Sequence, residues 1–213
     1  MTDLYNLRRD FILTTLDETD MTPSPIDMFE RWLNEAVESK APEPNAMILS
    51  TVAMEGKPSS RVVLLKQVKP EGFIFFTNYE SRKAIQIEEN RYCALNFVWH
   101  ELERQVRIEG IAEKIPAEES DKYFEVRPLK SKLGAWASPQ SRPIPNRQYL
   151  ETLMLDFEMR YKGKEVMRPA NWGGYIVKPF LVEFWQGRSN RLHDRMQYTL
   201  NDDGLWKLER LAP

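Results

Sequence analysis

Hydrophobic positions along the chain change their period near residue 46. Before that point they recur at helical spacing. Over residues 4–17 the repeat is weak, carried by Leu4, Leu7, Phe11 and Ile12. A polar stretch with two prolines follows, DETDMTPSP, and reads as a linker. The next segment has a full set of helix signals. Ser24 is the expected N-cap, Pro25 suits the first turn, and Asp27 is placed to close a capping box. Met28, Phe29, Trp32, Leu33, Ala36 and Val37 are expected to form its buried stripe, and the run Ala41-Pro-Glu-Pro44 stops it.

From Ala46 the pattern becomes short runs rich in β-branched and aromatic residues. Residues 46–53, 60–68 and 72–77 read as strands joined by the turn sequences MEGKP and KPEG. A short helix is expected over Ser81 to Glu89, then strands over 92–99 and 105–115. Two helices follow, near Glu118–Val126 and Asn146–Tyr161, the second presenting Leu150, Leu153, Met154 and Phe157 on one face. The remainder returns to strands at 173–179, 180–187, 195–200 and 205–211, with a turn at Asn201–Gly204. Many short strands with tight turns and inserted helices predict a mainly β (α+β) fold built on an antiparallel barrel. A doubly wound sheet would need regular strand–helix alternation, which is missing. The expected organisation is a mobile N-terminal segment over 1–23 and one domain over 24–213.

Charge and the rarer residues narrow the chemistry. Lys+Arg number 30 and Asp+Glu 32, so the formal net charge of -2 argues against nucleic-acid binding through bulk charge. The longest stretch free of charged residues, Pro44 to Met54, is too short to span a bilayer, and nothing at the N-terminus resembles a signal peptide. A cytoplasmic protein with no membrane partner is the expectation. One cysteine, Cys93, excludes an intrachain disulfide, and two histidines, His100 and His193, offer no metal-binding motif. The nine glycines form no dinucleotide-binding, P-loop or nucleophile-elbow signature.

Four constellations carry candidate chemistry. Arg82 and Lys83 follow the potential N-cap Ser81, so two cations occupy a first helical turn where they oppose the helix dipole. A bound anion would resolve that conflict, and two solvated surface residues are the alternative. Arg61 and Lys66 flank four apolar residues. Strand alternation puts the two charges on opposite faces, so both reach one site only if a bulge intervenes or the ligand wraps the strand end. Tyr123, Arg127 and Ser131 share a helical face suited to a phosphate, provided the helix survives Pro128. The run from Trp185 to Arg195 gathers an aromatic residue, a glycine, Arg188, Arg191, Arg195 and His193. No serine or carboxylate stands there at the spacing of a hydrolytic triad.

Together these segments resemble the pyridoxine/pyridoxamine 5′-phosphate oxidase family. RVVLLK at 61–66, TNYESRKA at 77–84, LERQVRIEG at 102–110, YFEVRP at 123–128, SKLGAWASPQS at 131–141, FWQGRSNRLHDR at 184–195 and the ending ERLAP occur in the family's order from about residue 24. The resemblance implies a homodimeric split β-barrel with FMN at the subunit interface. It implies oxidation of pyridoxamine or pyridoxine 5′-phosphate to pyridoxal 5′-phosphate, with O2 reduced to hydrogen peroxide. By position, FMN would be held by Arg61, Val62, Val63, Leu64, Leu65, Lys66, Phe76, Thr77, Arg82, Lys83, Gln105, Gln140, Ser141, Trp185 and Arg195. The substrate phosphate would meet Lys66, Tyr123, Arg127 and Ser131. Arg191, Leu192 and His193 would lie over the substrate ring, with Arg191 and His193 as the expected catalytic residues. Arg8, Arg9, Asp10 and Phe11 resemble the segment that closes over the substrate, although the family typically has tyrosine where this chain has Phe11. Two alternatives share part of this pattern. A flavin reductase for another substrate would keep the FMN residues and lose the substrate set, and a carrier module would bind ligand without consuming O2.

Overall fold

A computed structural model describes residues 3–6 and 10–213 of the chain. Helix α1 (Pro25–Glu38) begins as the sequence predicts, with Ser24 Oγ accepting from the Ile26 and Asp27 N–H groups. The reciprocal bond from the Ser24 N–H to Asp27 is not made, so the capping box is half formed. Met28, Phe29, Trp32 and Ala36 are buried, and Phe29 sits against Phe73 and Phe97 at ring-centroid distances of 4.8 Å. Val37, expected in the stripe, is 55% exposed. At about 100° per residue it lies half a turn round from Met28, on the solvent side.

The strands are β1 (Ala46–Val52), β2 (Pro58–Leu64), β3 (Gln67–Lys69), β4 (Gly72–Asn78), β5 (Tyr92–Trp99), β6 (Arg104–Lys114), β7 (Trp172–Gln186), β8 (Asp194–Leu200) and β9 (Trp206–Leu211). They pair in the order β2-β1-β5-β6-β7-β4-β3, all antiparallel, with β8 and β9 added beside β7. Residues 60–68, expected as one strand, divide at Leu65-Lys66. The Leu65 N–H donates to Asn45 O at 2.8 Å, next to β1, and the Lys66 N–H donates to Ile74 O of β4, also at 2.8 Å. This two-residue seam joins the two ends of the strand path and closes the barrel. The charges at 61 and 66 consequently escape strand alternation.

Residues 173–187 differ from expectation in the opposite sense: two predicted strands are one. β7 runs along β6 from Tyr175 to Gln186, while its other edge pairs first with β4 and then with β8. Pro179, which has no N–H to give, falls between these two partners. A bulge places Gly110 opposite Pro179 and leaves Phe180 out of register. A Cβ at Gly110 would lie 2.5 Å from Lys178 O, so the crossing backbones require glycine there.

The remaining helices are α2 (Arg82–Glu89), α3 (Ala117–Glu125), α4 (Leu129–Ala137) and α5 (Arg147–Arg160). Sequence periodicity did not reveal α4. Pro128 ends one helix and sits at the N-cap of the next, so Ser131 belongs to a new helix. On α5 the four predicted residues Leu150, Leu153, Met154 and Phe157 are the half-buried ones, and no residue of that helix is fully buried. Within 1–23, Leu16 is 3% exposed, its N–H donates to Asp194 Oδ2 at 3.1 Å, and Tyr198 Oη donates to Thr22 O at 2.5 Å.

Candidate functional site

A cavity of about 740 Å3 opens where the β2–β3 seam, the start of α2, and helices α3 and α4 meet. One end of it is cationic. Arg61 on β2 comes beside Arg82 and Lys83, the first two residues of α2. Ser81 stands at the N-cap position, but its hydroxyl caps no backbone N–H and accepts from Lys83 Nζ at 3.2 Å instead. Lys83 Nζ also donates to Thr77 Oγ1 at 3.1 Å and to Gln140 Oε1 at 3.4 Å. Burial, and then the charge of Arg61, push the Lys83 ammonium down to about 8. Burial and Arg82 likewise lower the pKa of Arg61. Among the described residues no carboxylate forms an ion pair with Arg61, Arg82 or Lys83. Three cations thus converge with neutral partners only, beside free N–H groups of a helix start, which is the donor set of an anion site.

A second donor set lies in the same cavity, formed by Lys66, Tyr123, Arg127 and Ser131. Tyr123, Phe76 and Trp172 stack in one wall, with Tyr123–Phe76 centroids 4.0 Å apart and Phe76–Trp172 centroids 5.4 Å apart. The Arg127 guanidinium lies 4.4 Å over Trp172. Its Nη1 is buried without a hydrogen-bond partner, and burial lowers its pKa. A buried, unpartnered guanidinium nitrogen is costly unless a ligand meets it. The break at Pro128 does not remove Ser131 from the site: in the first turn of α4 it still lines the cavity.

The structure therefore brings together Arg61, Val62, Val63, Leu64, Lys66, Phe76, Thr77, Arg82, Lys83, Tyr123, Arg127, Ser131, Gln140 and Ser141. Leu65 is not among them: its side chain is buried in the core, and its N–H and C=O are both bonded to Asn45. Gln105, Trp185 and Arg195 lie outside the cavity, directly opposite one another on β6, β7 and β8. Arg195 donates to both oxygens of the buried Glu183, at 2.8 and 3.1 Å, which raises its pKa.

Arg191, Leu192 and His193 follow β7 at this second place. His193 Nδ1 accepts from the Arg188 N–H at 3.1 Å, which leaves the neutral ring with its proton on Nε2. Burial, and then Arg191, hold its pKa below the usual histidine value. Asn190 and Arg191 adopt left-handed backbone, with φ of 56° and 61°. Phe11 packs edge-on against Trp185 and His193, each at 5.7 Å. Gly187 makes room for it, since a Cβ there would fall 2.7 Å from the Phe11 ring. Asp10 is exposed. Arg8 and Arg9 lie outside the described residues.

Sequence reasoning missed Asn78, Gly134, Ala135, Ser138 and Trp172 in the cavity wall, and Glu183 as the partner of Arg195. The adjacency of Asn78 to Thr77 was one available signal, and the position of Gly134, Ala135 and Ser138 within the run SKLGAWASPQS was another. Trp172 is reached through the pairing of β4 with β7, which no local pattern discloses.

Comparison with known proteins identifies the family. Residues 33–158 match the family model described as pyridoxamine 5′-phosphate oxidase. Residues 172–213 match the one described as the pyridoxine 5′-phosphate oxidase C-terminal dimerisation region. The chain is 52% identical over 213 residues to the pyridoxine/pyridoxamine 5′-phosphate oxidase of Cupriavidus metallidurans, with 100% of both chains covered. It is 53% identical to that of Bacteroides fragilis, over 99% of this chain and 90% of the relative. Among solved structures, PhzG from Burkholderia lata, in complex with tetrahydrophenazine-1-carboxylic acid, superposes with a TM-score of 0.89 at 30% identity. That match covers 96% of this chain and 100% of the other. A pyridoxamine 5′-phosphate oxidase-related, FMN binding protein from Nostoc punctiforme has the same fold, with a TM-score of 0.71 at 17% identity over 91% of this chain. The barrel, its two donor sets and the full-length match assign the chain to the pyridoxine/pyridoxamine 5′-phosphate oxidase family.

Proposed function

We propose that this protein oxidises pyridoxamine 5′-phosphate or pyridoxine 5′-phosphate to pyridoxal 5′-phosphate, using FMN and reducing O2 to hydrogen peroxide. The observation that carries the reading is the pair of donor sets in one cavity, each cationic and each without an acidic partner among the described residues. Two phosphate monoesters, one on the cofactor and one on the substrate, match two such sets. Bound FMN would supply the hydride acceptor that the side chains lack.

In this reading Arg61, Arg82 and Lys83 hold the FMN phosphate, with Thr77, Gln140 and Ser141 beside them. Lys66, Tyr123, Arg127 and Ser131 hold the substrate phosphate and so fix which end of the substrate points to the reacting centre. His193, neutral with its Nε2–H free to donate, orients the substituents of the substrate ring, and Arg191 adds positive charge beside it. Phe11, closed over Trp185 and His193, keeps water out.

The reading requires a homodimer. Gln105, Trp185 and Arg195 lie outside the cavity that holds the other FMN residues, so a second chain brings the two parts together. The face carrying them also bears Val62 at 66% exposure, Val98 at 40% and Ile48 at 38%. Asn96 Oδ1, between these residues, is buried without a partner. An apolar face with an unmet acceptor suits a two-fold contact. No helix among the described residues is long and apolar enough to cross a membrane. The proposed place of action is the cytoplasm, which cell fractionation would check.

The expected preparation is yellow, releases FMN on heating, scatters light as a dimer, and consumes O2 with either phosphorylated vitamer. FAD in place of FMN, a monomer that retains flavin, or no oxygen uptake would each overturn the corresponding part. The domain division is proposed in the same terms, with 24–213 as the flavin-binding unit and the first residues as a closing segment. Because Leu16 is packed in the core, the deletion that tests this removes residues 1–12 only. It should spare the flavin spectrum and weaken substrate binding. Loss of FMN would make the segment structural.

A further inference from the structure

Arg61 occupies an unfavourable position. It stands beside two other cations with no carboxylate among the described residues to hold it, yet its guanidinium is fixed by three short contacts. Nη1 donates to Leu49 O at 3.0 Å and to Thr51 Oγ1 at 2.7 Å, and Nη2 donates to Ser59 Oγ at 2.6 Å. Behind the two hydroxyls stands one further group. Thr51 Oγ1 donates to Gln86 Oε1 at 2.6 Å and Ser59 Oγ donates to the same oxygen at 2.7 Å. Gln86 is 4% exposed and Thr51 is fully buried.

The proton count explains the arrangement. A hydroxyl has one proton and can turn it in any direction. An amide oxygen only accepts, so it draws both hydroxyl protons to itself and leaves both hydroxyl oxygens presenting lone pairs to Arg61, which only donates. Thr51 and Ser59 face each other across β1 and β2, so a single acceptor reaches both. Gln86 lies on α2, one turn beyond Arg82 and Lys83. Its amide therefore ties the helix that carries two of the cations to the strand that carries the third. A carboxylate in that place would also fix Arg61, but it would cancel the positive charge an anion needs. A neutral amide fixes the guanidinium and preserves the charge.

We propose that Gln86, acting through the Thr51 and Ser59 hydroxyls, is a positioning residue that preorganises Arg61 for the phosphate of the cofactor. It thereby sets the preference for FMN over unphosphorylated riboflavin. The inference rests on the reading above that Arg61 meets the FMN phosphate.

The test titrates flavin-free protein with FMN and with riboflavin, following flavin fluorescence. Gln86→Met keeps the side-chain volume and removes the acceptor. It should raise the Kd for FMN by about tenfold to a hundredfold while changing the Kd for riboflavin by less than about threefold. In an Arg61→Ala background the same substitution should add no further FMN-specific loss, because both changes act on one interaction. Ser59→Ala, at a half-buried site, should show the same selective loss at smaller size, and it carries the test if Gln86→Met does not fold. Equal weakening of both flavins, or an undiminished effect of Gln86→Met when Arg61 is absent, would overturn the proposal. If Arg61→Ala itself left the FMN-to-riboflavin ratio unchanged, the assignment of the phosphate site would fail first. If Arg61→Ala lowered that ratio and neither Gln86→Met nor Ser59→Ala did, the role of Gln86 alone would fail.

Discussion

Arg127→Ala is expected to lower kcat/KM for pyridoxamine 5′-phosphate by about ten- to a few-hundredfold and to leave FMN content unchanged. A charged hydrogen bond contributes roughly 1.5–3 kcal/mol, and about 1.4 kcal/mol is tenfold in rate. The loss should fall mainly on KM, because a phosphate remote from the reacting carbon keeps the same contacts in the transition state. Arg127 also stacks on Trp172, so its removal could loosen the wall of the cavity. The unphosphorylated vitamer separates the two effects. It should be a poor substrate of the parent protein and nearly indifferent to the substitution. Equal losses on both substrates would mean that Arg127 supports the fold or the flavin, and the substrate site would then lie elsewhere.

Lys83→Met should weaken FMN binding by about tenfold to a few hundredfold for the same reason, and should also abolish a pH dependence. In the parent protein the buried ammonium titrates near 8, whereas its ordinary value is 10.5. Raising the pH through 8 therefore removes a charge from the anion site, and FMN affinity of the flavin-free protein should fall. Folding stability should move the other way. Between about 8 and 10.5 the unfolded chain keeps the Lys83 proton that the folded chain has lost, so this group's contribution to stability rises with pH across that window. Below 8 the ammonium is charged in both states and its burial disfavours the fold. FMN titrations from pH 7 to 9.5 on parent and variant check the first half, and thermal melting of the flavin-free proteins checks the second. A parent affinity that stays flat across pH 8 would show that Lys83 does not carry charge to the phosphate.

Local signals were sufficient wherever one segment decides its own structure. The Ser24 cap and Pro25 start α1, and the 3.6-residue repeat of Met28, Phe29, Trp32 and Ala36 selects its buried side. The cations at 82 and 83, placed against the dipole of their own helix, raised the question of a bound anion, but the segment alone left two solvated surface residues as the simpler reading. The resemblance supplied the family, because the ordered motifs from RVVLLK to RLAP extend over most of the chain.

Tertiary structure decided what depends on two segments meeting. The break at Leu65-Lys66 exists because one amide bonds next to β1 and the next bonds to β4, strands that lie on either side of it in the chain. Strands 173–179 and 180–187 merge because β6 runs unbroken beside both, with Gly110 accommodating the bulge. The buried Nη1 of Arg127, the bonds from Arg195 to Glu183 and the oxygen of Gln86 shared by two hydroxyls are likewise relations between distant residues. Side-chain periodicity reports which way a residue points along its own element. It carries no information about which donor, acceptor or charge another element places opposite, and those pairings set the electrostatics of this site.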